Sequence, residues 1–201
     1  MNLDINFWVW NKGLPQHFCD EIIQHGNSFE QKEGVTRETE VGATTLKKQQ
    51  KKIRSNKVAW LEDRWIYDQI VPFINDANKQ AGWNFNWIRP ESCQFTTYYG
   101  SGKNFYDWHL DMATKPYESG SCKGLLRKLS MVILLNNPSE FEGGKLQFDF
   151  RDKRKKEIID AKFERAGSLV VFPSFLWHRV TPVTKGIRYS LVVWVCGESF
   201  K

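Results

Sequence analysis

The second half of the chain is a succession of short segments rich in β-branched and aromatic residues, with no helical pattern between them. Glycines such as Gly143, Gly144 and Gly167 punctuate the succession at turns. Parallel strands need long crossover connections, usually helices, so the pattern excludes a parallel sheet and predicts an antiparallel sandwich or barrel. The predicted strands cover residues 93–99, 129–135, 145–150, 157–161, 168–172 and 188–195.

The first part of the chain has a helical pattern instead. Apolar residues at helical spacing follow Pro15, whose fixed backbone suits the first turn of a helix. A second periodic run extends from Trp60 to Ala81 and stops at Gly82. Residues 31–56, between the two runs, are polar and rich in lysine, and they predict a loop with one or two short edge strands. The predicted fold class is therefore mainly β with N-terminal helices (α+β).

Length and composition bound the organisation of the chain. With 201 residues, 41% of them hydrophobic, a single domain over residues 1–201 is predicted, in which residues 1–90 form a helical support with a polar loop and residues 91–197 form the β-rich core. No apolar run approaches the ~20 residues of a membrane-spanning helix, and the first residues lack the basic region of a signal peptide. The four cysteines are scattered without a CxxC motif, which is typical of free thiols in a reducing compartment. We therefore expect a cytoplasmic protein with no membrane partner.

The net charge of +6 arises from two short clusters of basic residues. One extends from Lys47 to Arg54 and the other from Arg151 to Lys156, whereas the rest of the chain is slightly acidic. Clusters of this kind bind nucleic acid or other anions through Coulomb attraction and counterion release. They are also typical of solvated surface loops, and the sequence alone leaves both interpretations open.

Two histidines and one aspartate form a candidate metal site. His109 and Asp111 make an HxD motif, and residues two apart on a strand project from the same face. His178 lies farther along the chain, also within the predicted sheet region. Two imidazoles and one carboxylate are a ligand set that suits non-haem Fe(II) in oxygen chemistry, because it leaves adjacent positions open. An HxD motif alone is equally compatible with a core histidine whose nitrogens are hydrogen-bonded.

Arg188 is a candidate anion-binding residue. It stands between Ile187 and an apolar run, and it shares a strand face with Ser190. A buried guanidinium needs an anionic partner, and its donors match a carboxylate, to which the serine hydroxyl can add a hydrogen bond. The alternative is a surface arginine on an edge strand. Trp108 and Trp177, beside the two histidines, should point away from the metal and pack in the core, because neighbouring strand residues alternate between faces.

Taken together, these motifs resemble the 2-oxoglutarate- and Fe(II)-dependent oxygenases, and most closely their prolyl-4-hydroxylase-like and bacterial PKHD-type branch. The resemblance rests on the HxD motif, on His178 with Arg188 ten residues later, and on the pattern HxVxPVxxGxRxS around them. It covers residues 92–196 closely and the N-terminal helices loosely. Further matches are Tyr99 ten residues before His109, the R-x-L-S run from Arg127 to Ser130, and the turn Glu142-Gly143-Gly144-Lys145-Leu146.

The resemblance implies a double-stranded β-helix, or jelly roll, and the activity of a 2-oxoglutarate-dependent dioxygenase. Such an enzyme uses Fe(II), with 2-oxoglutarate and O2 as co-substrates and ascorbate as a candidate reductant. It hydroxylates a substrate C–H bond, here preferably that of a peptidyl proline, and releases succinate and CO2. Residues 113–126 have no firm counterpart in the family pattern, and we expect them to form a flexible lid over the substrate. The implied site residues are the metal ligands His109, Asp111 and His178 and the co-substrate contacts Arg188, Ser190 and Tyr99.

Three other functions fit parts of the pattern. A zinc hydrolase can use the same ligands, but it gives Arg188 no role. A non-catalytic jelly-roll module would bind nucleic acid or another anion through the two basic clusters. An oxygenase that acts on nucleic acid would use those clusters to contact phosphates. An oxygenase that acts on another small or protein substrate is a further alternative. We prefer a peptide or protein as the substrate, because the resemblance is to prolyl hydroxylases.

Overall fold

The strands form two sheets in which all hydrogen-bonded neighbours run antiparallel. A computed structural model of the chain describes residues 5–35, 53–151 and 157–200. Within these ranges the sheets confirm the predicted α+β, mainly β fold class. In chain order the strands are β1 (Trp8–Trp10), β2 (Lys32–Glu33), β3 (Arg54–Ser55), β4 (Lys57–Leu61), β5 (Arg89–Pro90), β6 (Cys93–Tyr99), β7 (Phe105–His109), β8 (Leu126–Leu134), β9 (Phe141–Gly143), β10 (Leu146–Asp149), β11 (Ile158–Asp160), β12 (Leu169–Pro173), β13 (Trp177–Val180) and β14 (Val183–Gly197).

The two sheets differ in size and in their share of the chain. Counted over the described residues, the larger sheet has nine strands, with the order β1-β12-β8-β14-β6-β4-β2 and with β5 and β9 also paired to β14. The smaller sheet has five strands in the order β11-β10-β13-β7-β3. The long strand β14 is the spine of the larger sheet, because it pairs with β8 on one side and with β6 on the other.

In the described ranges two α-helices, α1 (Gln16–Ser28) and α2 (Arg64–Gln80), each bury one face. Pro15 directly precedes α1, which agrees with the predicted start of this helix. The buried residues of α2 recur every three or four positions and therefore form one apolar stripe: Ile66, Ile70, Ile74 and Ala77. Among the described residues, no helix combines the length and the apolarity needed to cross a bilayer.

The apolar side chains form two cores, one on each face of the larger sheet. The helix-facing core joins α1 and α2 to residues such as Met131, Leu191 and Val193. The inter-sheet core lies between the two sheets and is lined by aromatic and aliphatic side chains: Tyr98, Phe148, Phe172, Leu146 and Val180. The helices thus cover the outer face of the larger sheet, and its inner face meets the smaller sheet.

The predicted strand bounds agree best with the structure in β6, where six of the seven residues are buried. Strand β6 has the predicted bounds, and the other five predicted strands all exist with ends shifted by one to a few residues. The helix predicted from Trp60 onward was wrong at its start, because Trp60 and Leu61 belong to β4 and α2 begins only at Arg64. Residues 1–90, predicted to act mainly as a helical support, also contribute β1 to β5, with β3 joining the smaller sheet.

Replacement of Ile70 by alanine should lower the free energy of unfolding by about 2–5 kcal/mol, because it leaves a cavity in the helix-facing core. Ile70 is fully buried, and the helix propensity that alanine gains is only a few tenths of a kcal/mol. Urea denaturation of Ile70→Ala measures the loss. The control is Ile88→Ala, whose side chain is 59% exposed and whose change should stay within about 0.5 kcal/mol. Equal effects of the two changes would contradict this core.

Candidate metal centre

The pairing of β7 with β13 places two histidines opposite each other. His109 ends β7, His178 lies in β13, and the two are register partners in the smaller sheet. Their ring centroids are 4.1 Å apart. A β-bulge follows His178 in this pairing, and irregularities of this kind often re-aim side chains next to functional sites. The two imidazoles predicted as metal ligands are therefore brought together.

Asp111 completes the cluster from just beyond the end of β7. Its Oδ1 atom lies 3.7 Å from Nε2 of His109, and its Oδ2 atom lies 3.4 Å from Nε2 of His178. One nitrogen or oxygen from each of the three side chains lies within 4.8 Å of the other two. The side chains of Asp111 and His178 are only 6% and 5% exposed, whereas that of His109 is 13% exposed. The cluster is thus nearly closed, with its most open side at His109.

Backbone carbonyls fix the orientation of both imidazoles. His109 Nδ1 donates to the carbonyl oxygen of Asp107 over 2.7 Å, and His178 Nδ1 donates to that of Leu176 over 2.9 Å. A carbonyl oxygen can only accept, so each Nδ1 carries the proton and each Nε2 has a free lone pair. The rings therefore present unprotonated Nε2 atoms to the centre, which is the form that binds metal ions.

Two serines hold the Asp111 carboxylate in place. Ser130 Oγ on β8 donates to Asp111 Oδ2 over 2.7 Å, and Ser174 Oγ lies 2.9 Å from Ser130 Oγ. Since the Ser130 proton is used by the carboxylate, Ser174 is the donor in the second bond. The backbone N–H groups of Asp111 and Met112 both donate to the Ser174 carbonyl oxygen. These bonds tie the end of β7 to the larger sheet.

The protonation states of the cluster suit metal binding. Burial, and then the nearby His178, lowers the pKa of His109 to about 3, so this ring is neutral at pH 7. Burial alone would raise the pKa of Asp111, but its interactions with His178 and His109 outweigh burial and hold this pKa below its usual range. A neutral imidazole and an ionised carboxylate are the ligand forms that a divalent cation needs.

Arg188 is fully buried beside the inter-sheet core. Its Nη1 atom donates to Ser190 Oγ over 3.0 Å, so the structure brings these two predicted residues together. Its Nη2 atom is buried and has no hydrogen-bond partner among the described residues. Burial lowers the pKa of the guanidinium. A buried cation with an unused donor is costly unless an anion joins it.

Tyr98, rather than Tyr99, is the tyrosine beside Arg188. The strand register pairs Arg188 with Tyr98, and the guanidinium carbon lies 5.4 Å from the centre of the Tyr98 ring. Tyr99 pairs with Ile187 and therefore projects from the opposite face of the sheet. The predicted Tyr99 is one position away from the residue that shares the face of Arg188, because spacing in sequence does not fix which strand face points inward.

Trp108 and Trp177 point away from the cluster, as the strand alternation predicts, but they do not pack in the core. Both are partly exposed on the outer face of the smaller sheet. The guanidinium of Arg179 lies 4.6 Å from the Trp108 ring centre, and that of Arg151 lies 4.3 Å from the Trp177 ring centre. The smaller sheet has no further layer covering this face in the described part of the chain, so arginines stack on the indoles instead.

The two basic clusters are only partly within the described residues. Lys47, Lys48, Lys51 and Lys52 of the first cluster and Lys153, Arg154, Lys155 and Lys156 of the second lie outside them. Arg54 is not on a solvated surface: it is buried, donates to Asn56 and Gln94, and stacks on the ring of Tyr106. Tyr106 in turn stacks on His109 with the ring centres 3.5 Å apart. Arg54 therefore supports the metal cluster from the side rather than offering a surface charge to phosphates.

Sequence reasoning missed a second cluster of polar side chains at the end of β14. We call it the Glu91 cluster; it consists of Glu91, Tyr117, Cys122, Arg127 and Cys196. The Glu91 carboxylate accepts hydrogen bonds from Arg127 Nε and Nη2 at 2.8 and 2.7 Å, from Tyr117 at 2.7 Å and from Cys196 at 3.0 Å. Arg127 also lies over the ring of Trp194, 3.8 Å from its centre. Only the R-x-L-S motif hinted at this cluster, because its members are far apart in sequence.

The segment predicted as a lid, residues 113–126, folds against this cluster. Its residues 117–125 form a small loop, closed by backbone hydrogen bonds between Tyr117 and both Gly124 and Leu125. Tyr117 and Cys122 point from the loop to the Glu91 cluster, while residues 118–121 are exposed. That the segment acts as a lid stays a prediction.

Comparison with known proteins identifies the class. The family model of the 2OG-Fe(II) oxygenase superfamily matches residues 93–196, which are 104 of the 201 residues, so the chain belongs to this superfamily. Membership implies Fe(II) as the metal and 2-oxoglutarate and O2 as co-substrates.

Individual relatives belong to one branch of the superfamily. A PKHD-type hydroxylase of Nitrosomonas europaea is 28% identical over 157 residues, which are 77% of this chain and 66% of that protein. A PKHD-type hydroxylase of a Psychrobacter species is 37% identical over 91 residues, which are 45% of this chain and 32% of that protein. The matches thus span from about a third to about two thirds of the length of these relatives.

Solved structures confirm the predicted double-stranded β-helix. A prolyl hydroxylase from Trichoplax adhaerens, solved with a peptide fragment of the hypoxia inducible factor oxygen degradation domain, superposes with a TM-score of 0.70, 21% identity and coverage of 96% of this chain and 84% of that chain. A Pseudomonas putida prolyl-4-hydroxylase superposes with a TM-score of 0.67, 22% identity and coverage of 98% and 96%. At these identities the likeness concerns the fold.

Replacement of Glu91 by glutamine should lower the free energy of unfolding by about 3–5 kcal/mol at pH 7, because it leaves the buried Arg127 guanidinium without a charged partner. Although burial opposes ionisation of Glu91, the hydrogen bonds and charge of Arg127 hold its pKa below the usual range. The stabilisation is therefore complete above the unfolded glutamate pKa of about 4.3 and is lost as the pH falls through the lower folded value.

Urea denaturation of wild type and Glu91→Gln at several pH values, from roughly pH 3 to pH 7, measures how the difference in their free energies of unfolding changes across the glutamate pKa. Glu118→Gln, on the exposed part of the 113–126 segment, is the control and should change stability by less than about 0.5 kcal/mol. A difference between wild type and Glu91→Gln that does not narrow in acid would contradict the ion pair.

Proposed function

We propose that the protein is an Fe(II)- and 2-oxoglutarate-dependent dioxygenase that hydroxylates a prolyl residue in a peptide or protein, with release of succinate and CO2. The observation that carries the proposal is the convergence of two imidazole nitrogens and one carboxylate, together with a buried, incompletely bonded arginine that borders the same inter-sheet core as His178. Membership of the 2OG-Fe(II) oxygenase superfamily and the PKHD-type relatives support it.

The residues present fit Fe(II). His109, Asp111 and His178 offer the imidazole and carboxylate donors that this ion accepts, and three donors from one side leave coordination positions open. When bound together, Fe(II), 2-oxoglutarate and O2 supply an oxidant able to hydroxylate an unactivated C–H bond. The chain contributes the geometry: the Asp107 and Leu176 carbonyls aim the imidazoles, and Ser130 with Ser174 aims the carboxylate.

Arg188 fits the far carboxylate of 2-oxoglutarate. Its free Nη2 donor and its positive charge match a carboxylate oxygen, and Ser190 Oγ, which already accepts from Nη1, can turn its own proton to the same anion. The surrounding inter-sheet core, which includes Phe148, Phe172 and Tyr98, keeps water away from this pair. A zinc hydrolase would leave this buried cation without a function.

The inner face of β14 also suits a peptide substrate. Trp194 is the register partner of Ser130, so it shares the face from which Ser130 reaches Asp111. Trp194 is 5% exposed, and its Nε1–H donor has no partner among the described residues. A backbone carbonyl of a peptide would satisfy this donor, and the half-exposed Trp60, 6.3 Å from Trp194 between ring centres, adds an apolar wall.

The metal and co-substrate steps are tested by adding Fe(II) and then 2-oxoglutarate to the protein without O2. We expect a visible metal-to-ligand charge-transfer band, which reports 2-oxoglutarate chelated to the iron. The band should be absent from His178→Ala that retains the wild-type circular dichroism spectrum. Folded wild type without the band, or a band of full strength in His178→Ala, would contradict the assigned ligands.

Replacement of Arg188 by methionine should weaken 2-oxoglutarate binding by roughly 30- to 700-fold, corresponding to about 2–4 kcal/mol for a lost buried charge pair. Methionine keeps the length and apolar character of the side chain while it removes the charge. Titration of the charge-transfer band with 2-oxoglutarate measures the affinity. Arg179→Met, which removes an arginine that stacks on Trp108 on the outer face of the smaller sheet, is the matched control and should leave this affinity unchanged.

The substrate class is tested with the Fe(II)-loaded enzyme, 2-oxoglutarate and O2. Proline-containing peptides should gain one oxygen atom by mass spectrometry, whereas the same peptides with alanine in place of proline should not. Single-stranded oligonucleotides are the competing substrates. Oxygen added to the oligonucleotides and not to the peptides would overturn the prolyl substrate while leaving the oxygenase assignment in place.

A further inference from the structure

We propose that Cys122 and Cys196 are an oxidation-sensitive thiol pair, and that a peroxide or a small-molecule disulfide converts them into a disulfide bond that ties residues 113–126 to β14. Cys122 lies in the loop 117–125, most of whose residues are exposed, and Cys196 lies near the end of β14. All four cysteines of the chain are free and buried. The inference concerns a cluster separate from the proposed metal ligands, so it stands or falls independently of the proposed function.

The two sulfur atoms are already close together. Both Sγ atoms and one Glu91 oxygen lie within 4.8 Å of one another, and the Cys196 thiol donates to Glu91 Oε1 over 3.0 Å. A disulfide has an S–S distance of about 2.0 Å, so the sulfurs must approach by at most roughly 3 Å. Cys196 is held in a central strand, whereas Cys122 is in a short surface loop. The approach therefore requires a shift of that loop only.

The loop carrying Cys122 is suited to such a shift. Its neighbours Gly120 and Gly124 both have positive φ angles, at 76° and 78°, and a Cβ atom at either position would contact nothing within 4 Å. The residues on both sides of Cys122 are exposed. The loop contacts the rest of the protein through Tyr117, through Cys122 and through the Ser121 carbonyl oxygen, which accepts a hydrogen bond from Arg89 over 3.0 Å. A segment with few buried contacts opens more readily than a strand of the sheet.

The same three ligand atoms do not make a good metal site. Two thiols and a carboxylate are donors that zinc accepts, but both oxygens of Glu91 are engaged by the guanidinium of Arg127. A second cation at this point would be repelled by Arg127 or would have to displace it from its buried partner. Disulfide formation adds no charge, and it leaves the Glu91–Arg127 ion pair intact. The local charges therefore favour sulfur–sulfur chemistry over metal binding.

The chemistry balances with a two-electron oxidant. Each thiol loses one proton and one electron as the S–S bond forms, and a peroxide takes up both electrons and both protons as its O–O bond breaks, giving two waters. With a small-molecule disulfide, two small thiols are released instead. Burial and the Glu91 charge raise the pKa of Cys196, so the reactive thiolate is scarce while the loop is closed. Oxidation is therefore expected on the timescale of loop opening.

The experiment uses the full chain, first reduced and desalted, then treated with hydrogen peroxide or oxidised glutathione under native conditions. Remaining thiols are alkylated in denaturant, and the protein is digested with trypsin without reductant. We expect a linked pair of tryptic peptides, 104–123 with 189–201, whose mass is lower by two hydrogen atoms than the sum of the two free peptides. Adding reductant before digestion should abolish it.

The other cysteines give the matched controls. Cys19 and Cys93 lie in the helix-facing core, and the double variant Cys19→Ser, Cys93→Ser should form the linked peptide as wild type does. Cys122→Ser should not form it and should leave Cys196 free for alkylation. The proposal is overturned if wild type keeps Cys122 and Cys196 fully alkylatable under oxidation that links them in urea, or if Cys196 pairs with a different cysteine.

Discussion

The register between β7 and β13 is the constraint on which the site depends. It sets His109 opposite His178, and a slip of either strand by one residue would turn the imidazole of that strand to the outer face of the smaller sheet, where Trp108 and Trp177 now lie. The apolar residues of β10 and β13 that face the larger sheet fix this register, because they can enter the inter-sheet core in one phase only. The position of the candidate ligands therefore follows from core packing: the same alternation that buries Phe148 and Val180 points His178 inward.

The elements that could be predicted from sequence are those whose residue types alone indicate a strand or a helix, without knowledge of which other segment they pack against. Strand β6 is buried on both faces, between the helix-facing core and the inter-sheet core, and its run of β-branched and aromatic residues marks its bounds. Trp60 failed as a helix signal because β4 has only five residues and its burial, with Val58, Ala59 and Leu61 buried, cannot be told from helical spacing. Tyr98 and Tyr99 are adjacent, and only the pairing with β14 decides which of them reaches Arg188. The Glu91 cluster joins three distant parts of the chain and has no local pattern at all.

Three arginines lie where the two sheets face each other or at the rim of this space. Arg188 and Arg127 are on strands of the larger sheet, whereas Arg54 is on β3 of the smaller sheet and reaches Gln94 on β6, and the three differ in their partners. Arg127 has a carboxylate partner, Arg54 has neutral oxygen acceptors and an aromatic ring, and Arg188 has one serine and an unused donor. The three guanidinium groups thus differ in how fully their charge is compensated, and Arg188, which has the fewest partners, is also the least exposed. Of these three arginines, Arg188 is the one whose guanidinium keeps a buried nitrogen without a hydrogen-bond partner among the described residues.

The main-chain acceptors of the two imidazoles have a consequence for how the site tolerates change over evolutionary time. Each histidine is aimed by the carbonyl of the residue two positions before it, at Asp107 and Leu176, and every amino acid carries that carbonyl. Side-chain replacement at these two positions cannot delete the acceptor, so the orienting bonds are shielded from point mutation. The aspartate is aimed differently, through the hydroxyls of Ser130 and Ser174, which a single nucleotide change can remove. A point mutation can therefore remove the hydroxyl groups that orient the Asp111 carboxylate, but it cannot remove the carbonyl acceptors that orient the two imidazoles.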